Sequence, residues 1–93
     1  MKLPNYEQAV VPETKITEYM IAELDRVVLT TDLPEHSLRI GDIGTVILVH
    51  RDNQGYEVEF VTLAGETVAI VSLFPSQLRP IGRHEIAQAR VLA

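Results

Sequence analysis

With no cysteine in the chain, any chemistry would have to come from three histidines, three serines and thirteen acidic residues. The densest grouping is Asp32, Glu35 and His36, in Asp-Leu-Pro-Glu-His-Ser. Imidazole and carboxylate are the ligand types that hold zinc and other divalent ions. A working site needs further ligands from elsewhere, and His50 and His84 stand at no paired spacing that would supply them. Ser37, Ser72 and Ser76 lack a nucleophile-elbow context, and no Ser/His/Asp arrangement can be argued from their positions. Glu57 and Glu59 lie two residues apart, with Asp52 and Glu66 in the flanking turns. Such a pair does glycosidase chemistry only where a pocket raises one pKa, and a small domain has little room for one. The expectation is an acidic, solvated face able to meet a basic partner. Gly41 and Gly44 are followed by no Lys-Ser/Thr pair at the phosphate-loop offset. The residues therefore point to no catalytic group, no cofactor and no metal, and to a protein that is not an enzyme.

The elements that carry these residues are mostly short strands. The organising stretch is Leu38 to Val49, where a Gly-Asp-Ile-Gly turn runs into an apolar, β-branched run. Its glycines permit positive φ or a sharp bend, and Val46 to Val49 reads as a strand buried on both faces. Before it, Leu24 to Thr31 reads as a first strand, followed by the long polar loop from Asp32 to Ser37, where Pro34 cannot donate to a ladder. Arg51 to Gly55 is a turn cluster in which Asp and Asn tolerate the left-handed region and Gly55 supplies positive φ. Tyr56 to Val61 alternates, with Tyr56, Val58 and Phe60 on one face and Glu57 and Glu59 on the other. Leu63 to Glu66 turns again, and Thr67 to Leu73 is a fourth strand. Phe74 to Gln77 suits one turn of 3₁₀ helix. Leu78 to Ile81 is a short last strand that Pro80 confines to an edge or a strand end.

Five short strands, a long first connection, two tight hairpins and a 3₁₀ turn before the last strand predict a mainly β fold: a small five-stranded SH3-like barrel. Residues 23–81 would form that barrel. Residues 1–22 would form an arm and an amphipathic α-helix, because Pro12 suits a first helical turn and Ile16, Tyr19 and Met20 share a face. That face can pack on the barrel or enter a groove on another protein. The barrel itself does not require it. Residues 82–93 form a tail compatible with helix, Ile86, Ala89 and Leu92 making a weak stripe.

Composition limits the function. A net charge of −5, with eight basic residues scattered among thirteen acidic ones, argues against nucleic acid, which demands Lys and Arg gathered on one surface. No apolar run reaches the length of a membrane span, and the absence of cysteine fits a reducing cytoplasm. The expected setting is cytoplasmic, with another protein or a second copy as partner.

Glu23-Leu24-Asp25-Arg26-Val27-Val28-Leu29, Asp32 to His36, Gly41-Asp42-Ile43-Gly44-Thr45-Val46, Tyr56 to Val61 and Ser76-Gln77-Leu78-Arg79-Pro80 together resemble a bacterial family of small proteins, domain of unknown function four-nine-two-six. The resemblance covers roughly Ala22 to Ile81 and implies an SH3-like fold with no assigned activity. Leu3-Pro4-Asn5, Ala9 to Pro12 and Lys15 to Tyr19 are similar to the start of a second uncharacterised bacterial family, encoded beside the first and suspected of toxin-like roles. That similarity implies an antitoxin- or immunity-like relationship. Phe74 to Leu78 resembles the last turn and strand of eukaryotic SH3 domains, yet the chain has no Trp and five aromatics, too few for a proline-rich peptide groove.

The expectation is a non-enzymatic interaction module that meets its partner through Ile16, Tyr19 and Met20 on the helix and Glu35 and His36 on the long loop. An RNA-associated barrel would instead use Arg26, Arg39, Arg51 and Arg79. A small metal protein or enzyme subunit would depend on His36.

Overall fold

The computed structural model describes residues 21–92. The strands are β1 (Arg26–Leu29), β2 (Ile43–Val49), β3 (Tyr56–Val61), β4 (Thr67–Leu73) and β5 (Leu78–Pro80). Single 3₁₀ turns at Pro34–His36, Arg51–Asn53 and Pro75–Gln77 lie in three of the four connections, and a tight turn joins β3 to β4. All pairings are antiparallel, in the order β4-β3-β2-β1-β5. The chain is thus mainly β, as its strand and turn residues predict, and the bounds of β3 and β4 are those the sequence implies.

The hydrogen-bonded sheet does not close into a barrel. Its edges are β4 and β5. The reason lies in β5, which is three residues long and ends on Pro80, a residue with no N–H to donate. Curvature comes instead from irregular pairing at Val46/Leu48 and at Phe60/Val61, since an extra residue on one strand bends it. The concave side is filled by hydrocarbon, with Val27, Leu29, Val46, Tyr56, Val58 and Phe60 almost fully buried.

Gly44 is where the curl is tightest. A Cβ there would lie 2.5 Å from Val58 Cγ1 and 2.8 Å from the Phe60 ring, so β2 crosses these two core residues of β3 with only a hydrogen between. Gly41, by contrast, has φ +96° and open space around it; it serves the turn. Gly55 does not take positive φ. Asp52 and Asn53 do, at 58° and 55°, and their short polar side chains tolerate it.

Two further expectations need correction. β2 is not buried on both faces: Ile47 and Leu48 are 40% and 47% exposed, because the bulge turns two consecutive residues away from the core. Residues 82–92 form no helix. Ile86 is 93% exposed, so the weak stripe has nothing to bury against, and short helices are marginal without such packing. Ile21, just before the predicted barrel, packs into the core, and its carbonyl accepts a 2.9 Å hydrogen bond from Asn53 Nδ2. The predicted N-terminal helix, with Ile16, Tyr19 and Met20, lies outside the described residues. Among those described, no helix is long and apolar enough to cross a membrane.

Candidate functional site

Strand alternation sends Glu57 and Glu59 to the convex face while Tyr56, Val58 and Phe60 fill the core. Register then decides their neighbours. Glu57 lies between Leu48 of β2 and Ser72 of β4, and Glu59 between Thr45 and Ile70. His50, just past the end of β2, folds back so that Nε2 lies 2.7 Å from Glu57 Oε2. Ser72 Oγ donates to the same oxygen at 2.6 Å. Thr67 Oγ1 holds Glu59 Oε2 at 2.6 Å. The Ser72 hydroxyl, and after it His50, keep the Glu57 carboxyl below the usual carboxylate range.

Apolar side chains share this face with the carboxylates: Leu48 pairs with Glu57 and Ile70 with Glu59. Ile47, Leu48 and Ile70 are half exposed, and Phe74 is 69% exposed. An open, largely apolar groove of about 270 Å³ runs between His50, Gln54, Gly55, Ser72, Leu73 and Phe74. Phe74 is held at its rim by two bonds that close the last 3₁₀ turn: its N–H donates to Gln77 Oε1 at 2.8 Å, and Gln77 N–H donates to its carbonyl at 2.9 Å.

The connectivity of His50, Glu57 and Ser72 determines what the group can do. Both donors converge on one carboxylate oxygen, so the carboxylate is the hub and Ser72 Oγ faces an acid's anion instead of an imidazole base. A serine nucleophile requires the base on its own oxygen. What the geometry offers is a fixed negative charge set among hydrocarbon, the arrangement that receives a cationic side chain beside an apolar one.

The other candidates are dispersed. Asp32 Oδ1 accepts the Ile40 N–H at 3.0 Å, so it pins its own loop and leaves Glu35 and His36 on the 3₁₀ turn Pro34–His36, with Glu35 exposed and His36 partly so. His84 is exposed in the tail. Among the described residues no three His, Asp or Glu side chains converge to hold a metal. Of the four arginines considered for RNA, Arg79 is engaged by Glu85 through two hydrogen bonds of 2.9 and 2.6 Å; with the Gly82 N–H they bring the Glu85 carboxyl down to about 2.

A second cluster has no counterpart in the sequence reading. Asp42, from the Gly-Asp-Ile-Gly turn, accepts the Arg39 N–H at 2.9 Å and Arg90 Nε at 2.8 Å, and also meets Arg90 Nη2, which donates to the Ser37 carbonyl at 3.0 Å. Partial burial pushes the Asp42 carboxyl up, but the Arg90 and Arg39 hydrogen bonds outweigh it and the net displacement is downward. This clamp ties the extended tail to the long loop. An acidic residue inside a glycine turn was the only local hint, and nothing nearby in the chain marks Arg90 as its partner.

A small, open, five-stranded antiparallel sheet with a carboxylate-bearing apolar outer face is the class this geometry defines. The model of the family described as "Domain of unknown function (DUF4926)" matches residues 23–80, and the chain belongs to that family. No curated protein and no solved structure matches the chain. The match does not reach the N-terminal residues that resemble the neighbouring toxin-like family.

Proposed function

We propose that this protein is a non-enzymatic interaction module, an SH3-like sheet whose convex face takes a basic, partly apolar segment of another protein. The observation that supports it is Glu57, anchored by Ser72 and His50 and paired across the strands with the exposed Leu48, while the exposed Ile70 stands opposite the neighbouring Glu59. An anchored carboxylate has already lost much of the side-chain freedom that binding would otherwise cost. The exposed apolar side chains on the same face add hydrophobic contact for the uncharged part of such a segment. In an antitoxin- or immunity-like role this acidic module would cover a basic surface of its partner; Glu35 and His36 on the long loop would be a second contact.

The experiment is an NMR titration of the isotope-labelled protein with two short synthetic peptides, one alternating lysine with leucine and one alternating glutamate with leucine. The lysine peptide is expected to shift the amides of Leu48, Glu57, Ser72 and Phe74. Equal response to both peptides, or shifts confined to other surfaces, would overturn the proposal.

A further inference from the structure

Beyond that face, the structure assigns a second contact: β4 is a pairing edge for β4 of another copy of this chain. The two edges of the sheet differ sharply. β5 has three residues and Pro80, a natural stop to pairing. β4 has seven residues, Thr-Val-Ala-Ile-Val-Ser-Leu, with no charge and no proline. Among the described residues its backbone pairs with β3 alone. Edges this long usually carry lysine, proline or a covering segment.

Which backbone groups point outward follows from the β3–β4 turn. Thr62 N–H donates to the Glu66 carbonyl at 2.8 Å, and strand N–H groups alternate sides. Phe60, Val58 and Tyr56 therefore bond toward β4, and their partners Ala69, Val71 and Leu73 bond back. Ile70 and Ser72 direct N–H and C=O off the sheet. Two outward residues flanking Val71 are self-complementary: with a twofold axis at Val71, Ile70 of each copy exchanges two hydrogen bonds with Ser72 of the other. The same register sets the exposed Phe74 opposite Val68 of the second copy.

Charge favours this edge over other meeting points. Each copy carries net −5, yet no charged residue lies on β4 itself. Glu57 and Glu59 sit one strand inward, so β3 and its symmetry mate stand three strand spacings apart, about 14 Å, beyond the screening length of roughly 8 Å at physiological salt. A contact made of one strand and one aromatic belongs with weak, transient interfaces, and dimerisation is accordingly expected in the micromolar range.

Sedimentation equilibrium of the full chain from low micromolar to submillimolar concentration tests this, together with hydrogen exchange at both extremes. The expected result is a mass rising toward twice the monomer, with Ile70 and Ser72 amides gaining protection in parallel. Ile70→Pro removes an outward donor while sparing the bonds to β3, and it should abolish the rise; Ile70→Lys, which keeps the N–H, should weaken it through like-charge crowding. A wild-type chain that stays monomeric would overturn the inference. So would protection of Ile70 and Ser72 that is independent of concentration, the mark of a segment of the same chain on that edge. A dimer that survives in folded Ile70→Pro would overturn it too.

Discussion

Replacing Gly44 by alanine tests the packing on which the whole curl rests. The new methyl would stand 2.5 Å from Val58 Cγ1 and 2.8 Å from Phe60 Cε1, about 1 Å short of comfortable carbon contact. Val58 and Phe60 are 0% and 2% exposed, so neither has empty space to move into, and β2 is held on its other side by the Val27–Gly44 pairing with β1. Overpacking of this kind costs roughly 1–3 kcal/mol. Alanine in place of glycine returns about 0.4–1 kcal/mol by restricting the unfolded chain, where the native backbone suits it. The steric cost wins, and a net loss of about 1–2 kcal/mol is expected, equivalent to about 4–8 °C in Tm for each kcal/mol in a domain of this size. Urea denaturation read by circular dichroism measures it. The diagnostic is the double variant with Val58→Ala: removal of the nearest atom should make the two changes less than additive by about 1 kcal/mol, as contacting residues do. A Gly44→Ala protein as stable as wild type, or strict additivity with Val58→Ala, would refute the close crossing of β2 over β3.

Two further outcomes follow from local geometry. Leu24 takes φ 76° while 79% exposed, a left-handed conformation that costs a non-glycine residue about 1–2 kcal/mol; Leu24→Gly should therefore leave stability unchanged or raise it by up to about 1 kcal/mol in the same urea assay, despite the loss of an apolar side chain. The Asp42–Arg90 clamp should open in acid. Because the Asp42 carboxyl lies below its ordinary value in the folded protein, its contribution is complete above the usual carboxylate pKa of about 4 and is lost as pH falls through the lowered value; the Arg90 Nε–H signal followed by NMR should disappear over that range, and at every pH in Asp42→Asn.

Much of the scaffold was legible because it depends on local rules. β3 and β4 follow from alternation and from the turn residues on either side, and the last 3₁₀ turn from Pro75. The bulge between Val46 and Leu48 was not legible, since Val-Ile-Leu-Val carries no mark of which residue is extra. That single irregularity exposes Ile47 and Leu48 and sets Leu48 opposite Glu57. The open sheet was missed for a related reason: the strands and turns specify neighbours, whereas closure depends on whether two distant edges are long enough to meet. Glu57 and Glu59 were recognised as an acidic face, but the anchoring of Glu57 needed His50 and Ser72, fifteen residues from Glu57 in the second case, to be placed by register. Asp32, His36 and Glu35 looked like a cluster only because they are close in sequence; Asp32 spends its carboxylate on Ile40 instead.

If a charge anchored beside exposed hydrocarbon makes the convex face a binding surface, calorimetric titration of the lysine–leucine peptide against three proteins will show it. Wild type should bind. Glu57→Gln, which keeps the shape and removes the charge, and Leu48→Asp, which keeps the charge and removes the hydrocarbon, should each weaken binding about tenfold, or 1.4 kcal/mol. Binding unchanged in both variants, with their folds intact, would contradict it.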